Sequence, residues 1–277
     1  MRIVLVHGAF GGAWCWSRVT GPLERAGHTV EALDLPGGGE DRTPVEDVTL
    51  ETCAARVCDV LATKPEPALL VGHSMGGVVI TQAASNRPDR VAQLAFVCAF
   101  MPANGQSLLD LTRLPEGQAD MIQANIVVEG DPPVADLPPE AAAKAIYNLC
   151  DEASIAWAME KRRPQPVAPF ATPVTVDDAV LARIPRSYVF TARDQSIPPA
   201  LQRRMIAEHT CWKVFELDAD HVPFFSATGE LVEALLELAA GGMEGELARN
   251  RTTSASSSPI ESMLGEPARL RPKGGPQ

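Results

Sequence analysis

Apolar residues in this chain gather in short, nearly unbroken runs, with longer amphipathic stretches between them. The first is "RIVLVHG" near the N-terminus, followed by "HTVEALDLPG" and "ALLVGHS", each leading into a stretch able to form a helix. A fourth, "AQLAFVCAF", spans Ala92 to Phe100; after a long interruption come "RSYVFTARD", Arg186 to Asp194, and "WKVFELDADH", Trp212 to His221. Runs this apolar, without polar alternation, are strands buried on both faces, and strands separated by helices pair in parallel. The pattern predicts an α/β fold: a doubly wound, mainly parallel six-stranded sheet. Sites in such folds lie at the carboxyl ends of the strands.

The interruption, 103–178, is rich in proline and lacks the strand and helix alternation; it contains "PPEAAAKAIYNLCDEASIAWAMEKRRP". Pro139 suits a first helical turn, Asp151 can cap a second helix, and Pro164 ends it. This segment is expected to be a small helical cap inserted after the fourth strand, leaving 1–102 and 179–240 as the core. From Gly241 to Gln277 the chain is rich in Ser, Pro, Gly and Arg with no sustained apolar period, and is expected to be a disordered tail.

Composition narrows the class. With 277 residues, 45% of them hydrophobic, the chain can bury one sizeable core. No apolar run approaches the roughly 18 residues that span a bilayer. The N-terminal charge and apolar run are too short for a leader and enter a glycine turn without a cleavage site, so a cytoplasmic protein is expected. The six cysteines, Cys15, Cys53, Cys58, Cys98, Cys150 and Cys211, have neither C-x-x-C nor zinc-ligand spacing and suit buried thiols of a reducing compartment. A net charge of -11 argues against nucleic acid and anionic membranes as partners.

Candidate chemistry centres on Gly72-His73-Ser74-Met75-Gly76, a G-x-S-x-G turn between a strand-like and a helix-like run. Glycines on both sides admit the sharp, strained backbone that presents a serine hydroxyl above a sheet. A hydroxyl needs a base, and the base needs an orienting acid. Of the five histidines, His7 and His73 flank glycine turns, His28 precedes the second strand, and His209 sits in a polar turn. His221 alone follows the last strand at its carboxyl end, in "DADHVPFF", and is expected to be the base. Asp194, ending the fifth strand in "FTARDQSIPPAL", is the expected acid. Asp218 and Asp220 lie nearer to His221 in sequence, are poorly placed to reach its far ring nitrogen, and read as solvated loop carboxylates. The backbone N–H groups of Met75 and of Ala9, in "VHGAFGGAWCW", are the expected oxyanion donors.

These residues resemble a known family. "LVHGAFGGAWCW", "GHTVEALDLPG", "LLVGHSMGG", "FVCAFMP", "YNLC", "DQSIP" and "DADH" together look like the methylesterase and hydroxynitrile lyase group of α/β hydrolases, which includes bacterial esterases. The resemblance covers Arg2 to Ala240. It implies a truncated six-stranded sheet, a small cap over an apolar pocket, and no metal or organic cofactor. The lyases of the group carry a threonine at the position of Gly8, a glutamate at His73, and a lysine at Val222 that stabilises departing cyanide. All three positions here look like the esterase branch.

Phe10, Trp157 and Val222, with Trp14 and Met101 as weaker candidates, are expected near the substrate, which suits an apolar or aromatic ester. No arginine is placed to bind a substrate carboxylate, which favours a neutral one. The expected function is a serine carboxylesterase acting on a small ester through an acyl-enzyme intermediate. Lactone hydrolysis, hydroxynitrile or carbon-carbon lysis on the same scaffold, and a non-catalytic small-molecule receptor remain open, as does assembly as a homodimer.

Overall fold

The structure is a computed structural model and describes residues 1–255, with side chains through Gly241. The six apolar runs become strands β1 (Arg2–Val6), β2 (Thr29–Leu33), β3 (Ala68–His73), β4 (Val91–Val97), β5 (Arg186–Thr191) and β6 (Lys213–Leu217). They pair in the order β2-β1-β3-β4-β5-β6, and every pair is parallel. Burial follows the hydropathy: β1 and β3 are buried at every position, whereas on the outer strand β6 the side chains of Val214 and Glu216 are exposed and Leu217 is buried. Covered central strands need apolar residues on both faces; outer strands do not.

The main helices are α1 (Ser17–Arg25), α2 (Leu50–Ala62), α3 (Gly76–Asn86), α4 (Glu152–Lys161), α5 (Pro199–Glu208) and α6 (Thr228–Ala255). Local chemistry fixes their ends. Thr49 opens α2 through a reciprocal box, its Oγ1 accepting from the Thr52 amide at 3.1 Å while Thr52 Oγ1 accepts from the Thr49 amide at 2.9 Å. At the other end, Arg2, only 5% exposed, donates to the carbonyls of Val60 and Leu61 and pairs with Glu31 at 2.9 Å. A buried guanidinium thus satisfies the last carbonyls of a helix from the strand beneath it.

Chain direction places the crevice. From β1 the chain winds outward to β2, and from β3 it winds the opposite way to β4, so β1 and β3 are neighbours at the switch point of the sheet. Val6 is in register with Gly72, which sets the loop after β1 beside the turn after β3.

The cap expected after β4 is corrected in one respect. It carries the short helices Leu108–Thr112, Met121–Asn125, Pro139–Ala145 and Ala168–Ala171 besides α4, but also a small antiparallel sheet of Val127–Glu129, Val134–Asp136 and Gln165–Pro166. Strands this short cannot express a two-residue period, and Val127 and Val128 are exposed. Pro139 begins its helix, the Asp151 carboxylate accepts from the Ser154 amide at 2.7 Å, and α4 stops before Pro164.

Residues Met1–Gly242 form one compact unit and Met243–Gln277 a second. The stretch expected to be disordered from Gly241 begins with helical backbone, since α6 runs to Ala255 without a proline and with several strong helix formers; 256–277 lies outside the described residues. Among the described residues, no helix is long and apolar enough to cross a membrane.

Candidate active site

The turn between β3 and α3 holds Ser74 at φ 53°, a left-handed conformation that a residue with a side chain adopts only under constraint. The constraint is visible. The Ser74 carbonyl accepts from the amides of Gly77 at 3.0 Å and Phe100 at 3.1 Å. A Cβ on Gly76 would stand 2.7 Å from the His7 carbonyl oxygen, and one on Gly8 would stand 2.7 Å from the Ser74 Cβ. Close approach of two backbones, rather than flexibility, requires glycine at these positions. Phe10, at φ 62°, and Cys98, at φ 33°, are the other described non-glycine residues with positive φ, and they end up beside the same turn. Phe10 is held from the cap: its carbonyl accepts from the Arg163 amide at 3.2 Å, and the Arg162 guanidinium lies 5.3 Å from its ring centre.

The ladder of β5 and β6 continues past the strands, with the Ala192 amide donating to Leu217 and the Arg193 amide to Ala219. Two strand-end loops are thereby held side by side. Asp194 Oδ2 lies 2.8 Å from His221 Nδ1, and both residues are buried. Asp194 is fully engaged: Oδ1 accepts from the amides of Ser196 at 2.8 Å and Ile197 at 2.9 Å, while Oδ2 also accepts from Thr191 Oγ1 and Gln202 Nε2. An acceptor on that side fixes the proton of neutral His221 on Nδ1 and leaves Nε2 with a lone pair. Gln202, buried on α5, was not singled out by sequence. It also exchanges hydrogen bonds with Thr191 and donates to the Ile197 carbonyl, so it stiffens the whole carboxylate loop.

The two other buried histidines position backbone. His7 Nε2 accepts from the Leu35 amide at 3.0 Å, so its Nδ1 donates to the Gly8 carbonyl at 2.7 Å, and burial lowers its pKa. His73 Nε2 donates to the His221 carbonyl at 2.7 Å; burial, with the neighbouring His221, holds its pKa well below the ordinary value. Its Nδ1 has no partner and faces Gly8. Among the described residues, the one group with metal-ligand proximity is His73, Cys98 and His221, whose ligand atoms lie within 4.8 Å of one another. Within this group His73 Nε2 and Cys98 Sγ both turn to the His221 carbonyl, and His221 Nδ1 to Asp194.

Asp218 is the solvated carboxylate expected, 79% exposed beside Arg193, but Asp220 is not. Asp220 is fully buried and accepts from the Val222 amide, the Ser226 hydroxyl, the Leu149 amide and the Cys150 thiol. It ties the loop carrying His221 to the cap.

Two narrow chambers of about 30 Å³ each meet at Ser74. The first is lined by His221, Val222, Tyr147, Ile146 and Cys15; the second by Met75, Phe100, Leu108, Asp120 and Phe170; Ala9, Phe10 and Ile122 border both. Neither the Ala9 nor the Met75 amide donates to another backbone group among the described residues. Trp157, expected at the pocket, lies outside both chambers. Its helix turns it onto an aromatic cluster, with ring centres 5.3 Å from Trp14 and 5.8 Å from Phe225. Trp14 and Met101 also line neither chamber.

A strained serine at the switch point of a doubly wound sheet, sharing a chamber with an imidazole anchored on a carboxylate, defines the α/β-hydrolase class. The chain belongs to the alpha/beta hydrolase family, whose family model matches residues 3–234. Methylesterase 7 of Arabidopsis thaliana is 33% identical over 252 residues, covering 86% of this chain and 96% of that protein. Putative methylesterase 11, chloroplastic, of the same plant is 35% identical over 86% of this chain, and the chain spans 64% of its length. Among solved structures, polyneuridine aldehyde esterase superposes with a TM-score of 0.78 at 26% identity, covering 86% of this chain and 98% of that one. A pyrethroid hydrolase from Sphingobium faniae JZ-2 gives 0.77 at 27%, covering 88% and 99%. The resemblance to the methylesterase group read from the motifs holds across the compact unit.

Proposed function

We propose that this protein is a serine carboxylesterase acting on a small, neutral, apolar or aromatic ester through an acyl-enzyme intermediate. The observation that carries the reading is the buried Asp194–His221 pair at 2.8 Å, whose imidazole opens into the same chamber as the left-handed Ser74. Ser74 Oγ attacks the ester carbonyl carbon while His221 Nε2 takes its proton; Asp194 stabilises the resulting imidazolium. The carbonyl oxygen, now an anion, accepts from the Ala9 and Met75 amides, which donate to no other backbone group among the described residues. As the tetrahedral adduct collapses, the carbon–oxygen bond to the alcohol breaks and His221 returns the proton to the leaving oxygen. Water, deprotonated by His221, then attacks the acyl carbon; the acyl–serine bond breaks, the acid leaves, and His221 returns the proton to Ser74 Oγ. Esterase and methylesterase names among the relatives support this chemistry, and the narrow, largely apolar chambers support a small neutral substrate. Val222, buried at the first chamber, offers no charge to a cyanide ion, which weighs against the lyase reading.

The test is intact-protein mass spectrometry with a fluorophosphonate, joined to a panel of short-chain and aryl esters. A single adduct on Ser74 is expected, with esterase activity falling by about a thousandfold or more in Ser74→Ala. Full activity in that variant, or no ester hydrolysed at all, overturns the proposal.

A further inference from the structure

We propose that Asp120 is a specificity-determining residue whose carboxylate takes a hydrogen-bond donor on the substrate, so that the preferred esters carry a hydroxyl or amino group on the arm filling the second chamber. The proposal rests on the esterase reading for the reaction and revises its substrate in one respect, giving the otherwise apolar arm in the second chamber one hydrogen-bond donor, neutral or cationic. Asp120 stands at the entry to the short helix Met121–Asn125 and is 4% exposed. Its Oδ1 accepts from the amides of Ile122 at 2.7 Å and Gln123 at 3.1 Å, which is a capping role. Capping needs one oxygen. Oδ2 has no hydrogen-bond partner among the described residues, and the residue lines the chamber that also holds Ser74 and the Met75 amide.

The surroundings make that second oxygen conspicuous. Phe100, Leu108, Ile126, Phe170 and Ile197 share the chamber, and no Lys or Arg of the described residues forms an ion pair with Asp120. In so apolar a lining a carboxylate oxygen without a protein donor has only solvent in the chamber to satisfy it, and a ligand that displaces that solvent must supply the donor itself. Burial raises the Asp120 pKa to about 6, so the group is ionised and acceptor-only at neutral pH. A plain alkyl or aryl arm would leave it unpaired. A hydroxyl or ammonium would not.

The experiment uses the full chain and matched esters: methyl butanoate bearing a hydroxyl, amino, methoxy or methyl group on its third carbon, and ethyl butanoate with the same groups on its alcohol arm. Affinities are measured by calorimetry on Ser74→Ala, so that turnover is not needed, and kcat/KM is measured on the natural chain. The hydroxyl or amino member of at least one series is expected to bind about tenfold or more tighter than its methoxy and methyl partners. Asp120→Asn keeps the capping oxygen but turns an amide N–H₂ into the chamber, so the preference is expected to reverse toward the methoxy ester. Asp120→Ser keeps the cap and is expected to abolish the preference; should it fail to fold, Asp120→Asn carries the test. Equal affinities across both series, or a preference unchanged in Asp120→Asn, overturns the proposal. Absence of turnover with the binding preference intact overturns the esterase reading alone.

Discussion

Asp218 and Asp220 are two residues apart and should differ several-fold in what an alanine substitution costs. Asp220 accepts from four donors on two segments: Val222 and Ser226 from the loop beyond His221, and Leu149 and Cys150 from the cap. Hydrogen bonds to a charged acceptor are worth about 1.5–3 kcal/mol each, but not all four count in full. The thiol is a weak donor, and the Leu149 amide belongs to a residue 37% exposed, where water can replace the lost oxygen. The Val222 amide is buried and would be orphaned. Removing a buried carboxylate also relieves its own desolvation cost, which offsets part of the loss. The balance for Asp220→Ala is a destabilisation of about 3 kcal/mol. Asp218, exposed and paired to Arg193 only at 3.6 Å, should cost under about 0.5 kcal/mol. Urea unfolding followed by tryptophan fluorescence measures both, and ester turnover should fall in Asp220→Ala alone because Val222 follows His221 directly. Equal stabilities for the two variants would refute the reasoning.

Two further outcomes follow from the same geometry. Gly8→Ala would set a Cβ 2.7 Å from Ser74 Cβ and 2.9 Å from His73 Nδ1, so the loop carrying the Ala9 amide must move; a loss of about 1–3 kcal/mol in stability and a fall in kcat larger than the change in KM are expected from unfolding curves and steady-state kinetics. Asp120 has its folded pKa raised from 3.8 to about 6, chiefly by burial, against its capping amides and with His221 and Asp194 as the nearby charges. The folded state therefore holds the proton more tightly, and stability present below about pH 4 is lost as pH rises through 6. Asp120→Asn removes that loss: thermal melts should match the natural chain near pH 4 and show the variant about 3 kcal/mol more stable above pH 7, each pKa unit being worth about 1.4 kcal/mol. A constant difference across that range would contradict it.

What could be read along the chain was what local pattern reports. The central strands are legible because buried parallel strands are apolar at consecutive positions, and the outer two by their place in the same alternation with helices; Asp194 and His221 are expected together by one rule, that chemistry gathers at carboxyl ends of strands, and the structure pairs them. That rule does not reach Asp220. Nearness to His221 argues against one role, the far ring nitrogen, but not for exposure to solvent, since its partners at 149 and 150 lie some seventy positions back in the cap. Gln202 hid for a related reason: on α5 it sits between buried Leu201 and Met205, and only the fold turns its amide toward Asp194 eight residues earlier. Trp157 failed in the other direction, since aromatic character marks burial but not the cavity a side chain faces.

The positions of strain sharpen this division. Ser74, Phe10 and Cys98 follow three different strands or their loops, yet all three take positive φ around one crevice. No one of them is favourable alone; a left-handed residue with a side chain persists only when its neighbours leave no alternative. Here the neighbours are mutual. The Gly8 backbone is pressed against the Ser74 Cβ, Phe10 is pinned by the Arg163 amide from the cap, and the Cys98 amide is tied to Val189 on β5 at 2.8 Å. The turn glycines could announce that something approaches closely. What approaches is decided by strand order, and β1 beside β3, rather than beside β2 alone, is what brings the loop of Gly8 and Ala9 to the turn of Ser74.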